Sequence, residues 1–157
     1  MRHQIRPVRD ARDLETVREL FREYADRLGI DLTFQGFAAE LAQLPGKYSP
    51  PTGELLLARS DAGDALGCIG VRPLAMPGAC EAKRLYVRAA ARGTGIGHAL
   101  AGAAVELAAA LGYREMMLDT LPSMTSAIAI YRALGFEPIP PYWNNPLPGF
   151  LYFGKRL

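Results

Sequence analysis

The sequence predicts one mixed α/β domain, in which helices pack on a mixed β-sheet. The order of the elements supports this fold class: a strand and helices come first, a block of strands follows, and strand and helix then alternate. The chain has 157 residues, of which 50% are hydrophobic, and this suits a single core. Because no internal repeat or linker interrupts the pattern, we expect a single domain over residues 1–157.

The first half of the chain predicts a strand, two helices and a hairpin. "QIRPVR" has apolar positions two apart, as a strand does. "DARDLETVRELFREYADRLG" has apolar residues at helical spacing, with Asp10 or Asp13 as candidate caps and Gly29 as the stop. A weaker helix is predicted over "FQGFAAELAQL". The runs "ELLLARS" and "ALGCIGVRPL" are joined by the turn "DAGD" and predict a hairpin.

The second half predicts four strands and two helices. "CEAKRLYV" is the next strand, and residues 96–111 form an alanine- and leucine-rich helix that ends at Gly112. The strand "REMMLDT" leads into a helix over "SMTSAIAIYRALG", with Ser123 as its cap. Two final strands, "FEPIP" and "FLYFGKRL", flank the stiff loop "PPYWNNPLPG".

Charge and cysteine content exclude several classes of protein. The formal charge is only +2, so the chain lacks the strongly positive potential that attracts polyanions. We therefore expect no nucleic-acid partner. Cys68 and Cys80 are too few for a disulfide scaffold, and no Cys/His cluster is spaced to hold a metal. No apolar run approaches the roughly 18 residues of a membrane span. We therefore expect a cytoplasmic protein with neither a metal nor a membrane partner.

The segment "ARGTGIGHAL", residues 91–100, places glycines at the entry to a helix. His98 stands where a dinucleotide fingerprint needs its third glycine, and no lysine is present for an ATP-binding loop. The backbone amides at a helix start have no intrahelical partner and can bind a pyrophosphate, with Arg92 and either Arg88 or His98 as cationic contacts. Glycine also enters loops for its dihedral freedom alone, so the pattern by itself leaves both explanations open.

Four segments together resemble the GNAT superfamily of acetyl-CoA-dependent N-acetyltransferases. These are "EAKRLYV", "RGTGIGHAL", "MMLDT" and "SAIAIYRALGF", and the likeness is strongest from Glu81 to Phe136. The resemblance implies the acyl-CoA N-acyltransferase fold, with a central, mostly antiparallel twisted sheet and helices on both faces. It also implies that the bound pyrophosphate belongs to acetyl-CoA, used as a co-substrate without a metal.

The resemblance places coenzyme contacts on two segments. Backbone groups of Leu85, Tyr86 and Val87 would bind the pantetheine and polarise the acetyl carbonyl. The contacts of the glycine turn would come from Arg92, Gly93, Thr94, Gly95, Ile96, Gly97 and His98. Where the family often has an asparagine, this chain has Met124, so Ser126 or Thr125 is expected to supply the missing contact.

Transfer of an acetyl group to an amine needs an acid for the thiolate and a base for the amine. Tyr131 matches the family tyrosine and is the candidate acid, although its helical face is also apolar enough for a core residue. Glu81 and Asp119 are the candidate bases, in the two strands that line the implied cleft. Glu81 could instead form a surface pair with Lys83, and a water chain could replace either base.

The acceptor is expected to enter beside the less regular segments. Phe34 in "TFQGF" and Tyr142, Trp143 and Asn144 in the late loop offer flat apolar surface and hydrogen bonds. Trp143 would suit a dimer contact or ordinary packing equally well. We expect direct transfer to a primary amine of a small-molecule or peptide acceptor, with a non-catalytic acyl-CoA sensor as the alternative. Analogy and the apolar last strand suggest a homodimer.

Overall fold

A computed structural model describes residues 2–157, and for Phe34 it describes the backbone alone. Seven strands in the described chain form one sheet, and four α-helices accompany it. The strands are β1 (His3–Pro7), β2 (Glu54–Ser60), β3 (Ala65–Pro73), β4 (Ala79–Val87), β5 (Glu115–Thr120), β6 (Glu137–Pro138) and β7 (Leu151–Arg156). The helices are α1 (Ala11–Leu28), α2 (Phe37–Gln43), α3 (Ile96–Ala110) and α4 (Thr125–Ala133). The predicted order of elements is therefore confirmed.

The sheet has the strand order β1-β2-β3-β4-β5-β7-β6. Neighbouring strands are antiparallel except β4 and β5, which run parallel, so the mostly antiparallel sheet is confirmed. Pairing of β4 with β5 ends where Glu81 lies opposite Met117, although β4 continues to Val87 and β5 to Thr120. The last parts of these two strands have no pairing with each other, and this leaves an opening in the sheet.

A bulge in β4 directs two consecutive charged side chains to one face of the sheet. Its register against β3 shifts near the middle of both strands, and Arg84 has a φ of 63°. Side chains normally alternate between the two faces of a strand, and an extra residue breaks that alternation. Lys83 and Arg84 consequently both reach Gln35, whereas Leu85 packs in the core of the opposite face.

Two apolar cores, one on each face of the sheet, hold the helices in place. On one face Leu100 of α3 packs in the same cluster as Ile69 of β3 and Leu118 of β5. On the other face Phe21 of α1 packs in the same cluster as Leu55 of β2. Helices on both faces therefore confirm the predicted fold class.

The helix ends are set by local chemistry. The side chain of Asp10 accepts a hydrogen bond from the amide of Asp13 at 2.7 Å, so Asp10 is the cap of α1. Gly29 follows α1 with a φ of 69°, as predicted for a helix stop. The prediction of Ser123 as the cap of α4 is wrong. Met124 holds that position and makes no side-chain capping bond, because the helix begins one residue later than the serine requires.

We predict that Asp10→Ala lowers the free energy of unfolding by about 1 kcal/mol, because it leaves an amide of the first turn of α1 without its acceptor. Urea denaturation at neutral pH measures this change. Asp26→Ala, at an exposed site in the last turn of the same helix, is the matched control and should cause no comparable loss. Equal losses in the two variants would contradict the capping role.

Candidate active site

An open cleft of about 810 Å³ lies beside the last part of β4. Its walls come from the end of α1, the end of β4, the turn before α3 and the first half of α4. The cleft collects most of the residues that the sequence predicted for coenzyme binding: Leu85, Tyr86, Val87, Arg92, Gly93, Gly95, Gly97, His98 and Ser126. Segments far apart in the sequence thus meet in one elongated site.

The turn between β4 and α3 offers backbone amides and open space. Gly93 has a φ of 76° and Gly95 a φ of 87°, which L side chains rarely adopt. A Cβ atom added to either glycine would meet nothing within 4 Å, so neighbouring side chains do not crowd these positions. Helix α3 begins directly after Gly95, and the amides of its first turn carry the positive end of the helix dipole. The turn therefore fits a pyrophosphate.

Two other residues of the turn face away from the cleft. The side chain of Ile96 is 1% exposed and belongs to the core, so only its backbone is placed to meet a ligand. The hydroxyl of Thr94 donates to the carbonyl of Ala91, which ties the turn to the short helical segment before it. Both residues shape the turn and contribute no side chain to the cleft lining.

Of the three side chains predicted as cationic contacts, Arg92 and His98 line the cleft and Arg88 does not. Arg92 is exposed, and its Nε donates to the carbonyl of Val87 at 2.9 Å. Arg88 pairs with Glu23 of α1, with 2.8 Å between Nη2 and Oε2, and lies outside the cleft lining. Arg92 and the imidazole of His98 are therefore the predicted contacts that the geometry favours, and Arg27 of α1 adds a second arginine to the cleft lining.

Six charged side chains, which we call the charged cluster, lie on the sheet face that α1 and α2 cover. They form three pairs: Arg84 with Glu40 (Nε–Oε2, 3.0 Å), Arg72 with Glu81 (Nε–Oε1, 2.8 Å) and Lys83 with Asp119 (Nζ–Oδ1, 3.8 Å). Glu81 is 2% exposed and Arg84 3%, so the pairs are largely removed from water. Three acids balance three bases in this cluster, which lowers the cost of burying them.

Glu81 is held by partners on two elements and is buried, so the alternative of a surface pair with Lys83 is wrong. Its Oε1 accepts a hydrogen bond from Nε of Arg72, and its Oε2 accepts a hydrogen bond from the hydroxyl of Tyr142. Burial alone would raise the pKa of Glu81, but the charges of Lys83 and Arg72 hold it below its ordinary value. The alternation of side chains along β4 places Glu81 inside the protein. The sequence alone does not show which segments bury it.

Asp119 is also engaged at both oxygens. Its Oδ2 accepts the indole Nε1 of Trp143 at 2.7 Å, and its Oδ1 lies 3.8 Å from the ammonium of Lys83. Its side chain is 5% exposed. The late loop, residues 139–150, thus contacts an acid on β4 through Tyr142 and an acid on β5 through Trp143, and it spans the opening between these strands.

The other predicted acceptor residues have different outcomes. Asn144 is exposed on the same loop and makes no contact with the charged cluster among the described residues. The side chain of Phe34 lies outside the described part of the chain. Tyr142 and Trp143 are therefore the predicted acceptor residues whose described contacts reach the candidate bases.

A small pocket, which we call the junction pocket, adjoins the cleft near Asp119. It shares three lining residues with the cleft, Tyr24, Leu28 and Met124, so the two cavities are neighbours. Its volume is about 10 Å³, close to that of one water molecule. Asp119 and Gln35 give it a polar wall. A group at the end of the cleft would therefore lie close to one candidate base.

Comparison with known proteins decides the family. The model of the acetyltransferase (GNAT) family matches residues 14–136, which is most of the chain. The chain belongs to the GNAT family. An uncharacterized N-acetyltransferase of Schizosaccharomyces pombe is 43% identical over 153 residues, covering 98% of this chain and 94% of its own. These relationships make the protein an acyltransferase of the N-acetyltransferase family.

Solved structures agree with the GNAT fold. A GNAT acetyltransferase of Staphylococcus aureus has a TM-score of 0.80 at 19% identity and covers 98% of both chains. A GNAT phosphinothricin acetyltransferase of Sinorhizobium meliloti, solved in complex with AcCoA, has a TM-score of 0.76 at 24% identity. It covers 100% of this chain and 89% of its own. Likeness at this identity supports the architecture and leaves the acceptor open.

Within this GNAT chain Tyr131 lies just behind the cleft. It is 8% exposed, belongs to the core beneath α4 and packs edge to face on Phe136 with ring centroids 5.7 Å apart. Burial raises the pKa of its phenol, and the neighbouring Tyr24 and Asp119 act in the same direction. The hydroxyl therefore keeps its proton at neutral pH. Tyr131 is not among the residues that line the cleft.

Three cleft residues of α1 were missed as functional candidates. Tyr24, Arg27 and Leu28 line the cleft, and Tyr24 and Leu28 also line the junction pocket. The spacing of Tyr24 and Leu28 along α1 predicts only the apolar face of a helix, which a cleft wall resembles, and the sequence pattern gives no signal for Arg27. The run of charges in "CEAKRLYV", inside a strand with a buried pattern, was the available signal for the charged cluster.

The described residues show neither a metal site nor a membrane span. No group of three or more His, Cys, Asp or Glu side chains in residues 2–157 is arranged to hold a metal ion. In the same part of the chain, no helix is both long enough and apolar enough to cross a membrane.

We predict that Glu81→Gln lowers the free energy of unfolding by about 3 kcal/mol at neutral pH, because Arg72 is left buried without its anion. The ionised Glu81 carboxylate stabilises the fold fully above its unfolded pKa, near 4.5, and this contribution is lost as pH falls through the lower pKa of the folded state. The stability of the wild type should thus fall below about pH 4.5, and the fall should be smaller in Glu81→Gln. Urea denaturation across this range measures both effects.

Glu137→Gln is the matched control, since Glu137 is exposed on β6. It should change neither the stability at neutral pH nor its slope in acid by a comparable amount. A slope in Glu81→Gln that equals the wild-type slope would contradict a buried, ionised Glu81.

Proposed function

We propose that this protein transfers the acetyl group of acetyl-CoA directly to a primary amine, with no covalent enzyme intermediate. The observation that carries the proposal is one continuous path: an open glycine turn at a helix start, a cleft along the end of β4, and a buried charged cluster beside it. The phosphinothricin acetyltransferase that shares this fold was solved with AcCoA, which supports the choice of coenzyme.

The residues at the turn suit the coenzyme's diphosphate. Amides of the turn and of the first turn of α3 would bind the phosphate oxygens, with the guanidinium of Arg92 and the imidazole of His98 as side-chain contacts. Open space at Gly93 and Gly95 supports this use, because a side chain there would stand between the amides and the oxygens. Ser126 lines the opposite wall and has the hydroxyl to replace the usual asparagine contact.

Acetyl-CoA supplies the acetyl group as a thioester, and the protein's part is to orient it and to move protons. The end of β4, Leu85 to Val87, pairs with β3 but not with β5, and on the β5 side it offers backbone groups that would hold the pantetheine and polarise the carbonyl. Tyr131 would donate a proton to the departing thiolate, and the raised pKa of its phenol keeps that proton in place beforehand. Because the backbone of β4 would bind the pantetheine, side chains of the site remain available for proton transfer.

Of the two candidate bases, Asp119 has the better position. It lines the junction pocket next to the cleft, whereas Glu81 lies behind the hydroxyl of Tyr142. We assign to Asp119 the proton that the amine loses, and to Glu81 the support of Tyr142. Tyr142, Trp143, Asn144 and Phe34 stay our candidates for acceptor contacts, and a cytoplasmic homodimer stays a prediction.

The turn assignment predicts that Gly95→Ala weakens acetyl-CoA binding at least about 10-fold, because the added Cβ occupies the approach of the phosphate oxygens. It should also cost about 1 to 2 kcal/mol of stability through strain at a positive φ. Thermal unfolding measures both, since acetyl-CoA at 100 times its Kd adds about 2.7 kcal/mol to the wild type. Coenzyme A should stabilise as well, whereas ATP and NAD should not.

Gly112→Ala is the control at the other end of α3. Gly112 also has a positive φ, of 93°, and open space around it, so it should show the same strain without the loss of binding. Stabilisation by ATP or NAD, or unchanged acetyl-CoA binding in Gly95→Ala, would overturn the coenzyme assignment.

The acid assignment predicts that Tyr131→Phe lowers kcat by about 100-fold while the Kd for acetyl-CoA stays within about 2-fold, because only the phenolic proton is removed. Steady-state kinetics and a binding titration measure the two quantities. Tyr113→Phe is the control, since the Tyr113 hydroxyl bonds the Thr52 carbonyl outside the cleft lining. A loss of stability in Tyr131→Phe with kcat intact would assign Tyr131 to the core alone.

A further inference from the structure

Behind the polar wall of the junction pocket, two cations converge on one uncharged oxygen of that wall. Gln35 lines the pocket, and its Oε1 accepts from Nη1 of Arg84 at 2.8 Å and from Nζ of Lys83 at 3.4 Å. A carboxylate oxygen would be a stronger partner for two cationic donors than an amide oxygen is. Gln35 therefore occupies a position with the electrostatics of an anion site.

Lys83 is the least satisfied member of the charged cluster. Its side chain is 6% exposed, and its ammonium has three donors. The bond to Gln35 is long, and Asp119 at 3.8 Å lies beyond hydrogen-bond distance. Arg84, by contrast, makes two contacts to Glu40 as well as its bond to Gln35. A ligand oxygen would thus gain most from Lys83.

The charges around the pocket favour a ligand with no net charge. The cluster already balances three acids with three bases, so an added cation or anion alone would leave one charge buried without compensation. A zwitterion adds one charge of each sign. Lys83 and Asp119, 3.8 Å apart and of opposite sign, can face the carboxylate and the amine of one small zwitterion.

The remaining walls of the junction pocket are apolar. Leu32, Leu121 and Phe150 line it, together with Leu28 and Met124, which it shares with the cleft. The pocket itself has room for about one water molecule, so a carboxylate enters by displacing the Gln35 amide. Gln35 ends a three-residue 3-10 turn, Thr33–Gln35, in the connection between α1 and α2.

We propose that the acceptor is an α-amino acid with an apolar side chain, its carboxylate held by Lys83 in place of the Gln35 amide, its amine beside Asp119, and its side chain on the cleft side against Leu28 and Met124. This inference rests on the proposed acetyl transfer. In the transfer the amine nitrogen forms a bond to the acetyl carbon and the carbon–sulfur bond breaks. The ammonium of the zwitterion loses two protons. Asp119 takes the first, which frees the lone pair that attacks, and the second leaves the nitrogen after the attack and replaces the proton that Tyr131 gives to the thiolate. No further reactant is needed.

The first experiment compares three probes that differ only in the group next to the amine: L-leucine, L-leucinamide and isoamylamine. L-methionine, its amide and 3-(methylthio)propylamine form a second set. Release of coenzyme A from acetyl-CoA gives kcat/KM for each probe. We expect the amino acid of at least one set to exceed its amide and its amine by about 10-fold or more, as the loss of a charge-assisted hydrogen bond implies. Equal values within both sets would overturn the inference.

Variants identify the residue responsible for this preference. In Lys83→Met the ratio of kcat/KM for the amino acid to that for the amine should fall to about 1, because the ammonium is removed. Lys47→Met, at an exposed lysine outside the lining of both cavities, should keep the wild-type ratio. A Lys83→Met protein that keeps the wild-type ratio would overturn the assignment.

If Lys83→Met does not fold, a second pair of variants tests the proposed carboxylate site. Gln35→Glu places a resident carboxylate between Lys83 and Arg84, so it should compete with the ligand and abolish the preference. Gln35→Ala frees both cations and should keep or increase the preference. Identical ratios in Gln35→Glu and Gln35→Ala would overturn the inference.

Failure of the two proposals gives different results. Acetylation of the amides and amines without any preference for the amino acids would overturn the amino-acid site and leave acetyl transfer intact. Absence of transfer to all six probes, despite binding of acetyl-CoA, would overturn the acceptor assignment and count against direct transfer to a primary amine.

Discussion

The short parallel pairing of β4 and β5 is the constraint on which the site depends. Hydrogen bonding between these strands ends at Glu81 and Met117, and both strands then continue without each other. On the side that faces β5, the backbone groups at the end of β4 therefore have no strand partner. A cleft lies beside this end of the strand. Core packing on both faces holds the separated strands in place, so the opening is part of the folded architecture.

The bulge in β4 adds a second consequence. An unbroken alternation would send only one of Lys83 and Arg84 to the face beneath α2, whereas the bulge sends both. An arginine at a positive φ is unfavourable, and six buried charges stabilise a fold less than apolar side chains of similar size would. Backbone strain and buried charges that reduce stability are typical of functional sites. Here both features lie directly beside the opening between β4 and β5.

Local features of this fold could be predicted from the sequence, and non-local ones could not. The cap at Asp10, the stop at Gly29 and the glycine turn before α3 depend on a few adjacent residues, and each lies where the pattern placed it. The surroundings of Glu81 depend on Arg72 and Tyr142, which come from a different strand and a distant loop. A surface pair with Lys83 was the simplest local expectation, and burial by remote segments overturned it.

The same limit applies to the walls of the cleft. Apolar spacing along α1 correctly marked Tyr24 and Leu28 as inward-facing residues. Spacing alone does not distinguish a side chain that packs against the sheet from one that faces an opening in it. That distinction requires the position of β4 relative to α1, which long-range packing determines.

The contact between Trp143 and Asp119 gives the protein a built-in optical reporter. The chain has one tryptophan, and its indole nitrogen donates to a carboxylate that also lines the junction pocket. Indole emission responds to nearby charge and to water, so the tryptophan fluorescence of the unlabelled protein arises from the place where acceptor and acetyl group are proposed to meet. Occupancy of that place can thus be followed in real time without a dye and without turnover.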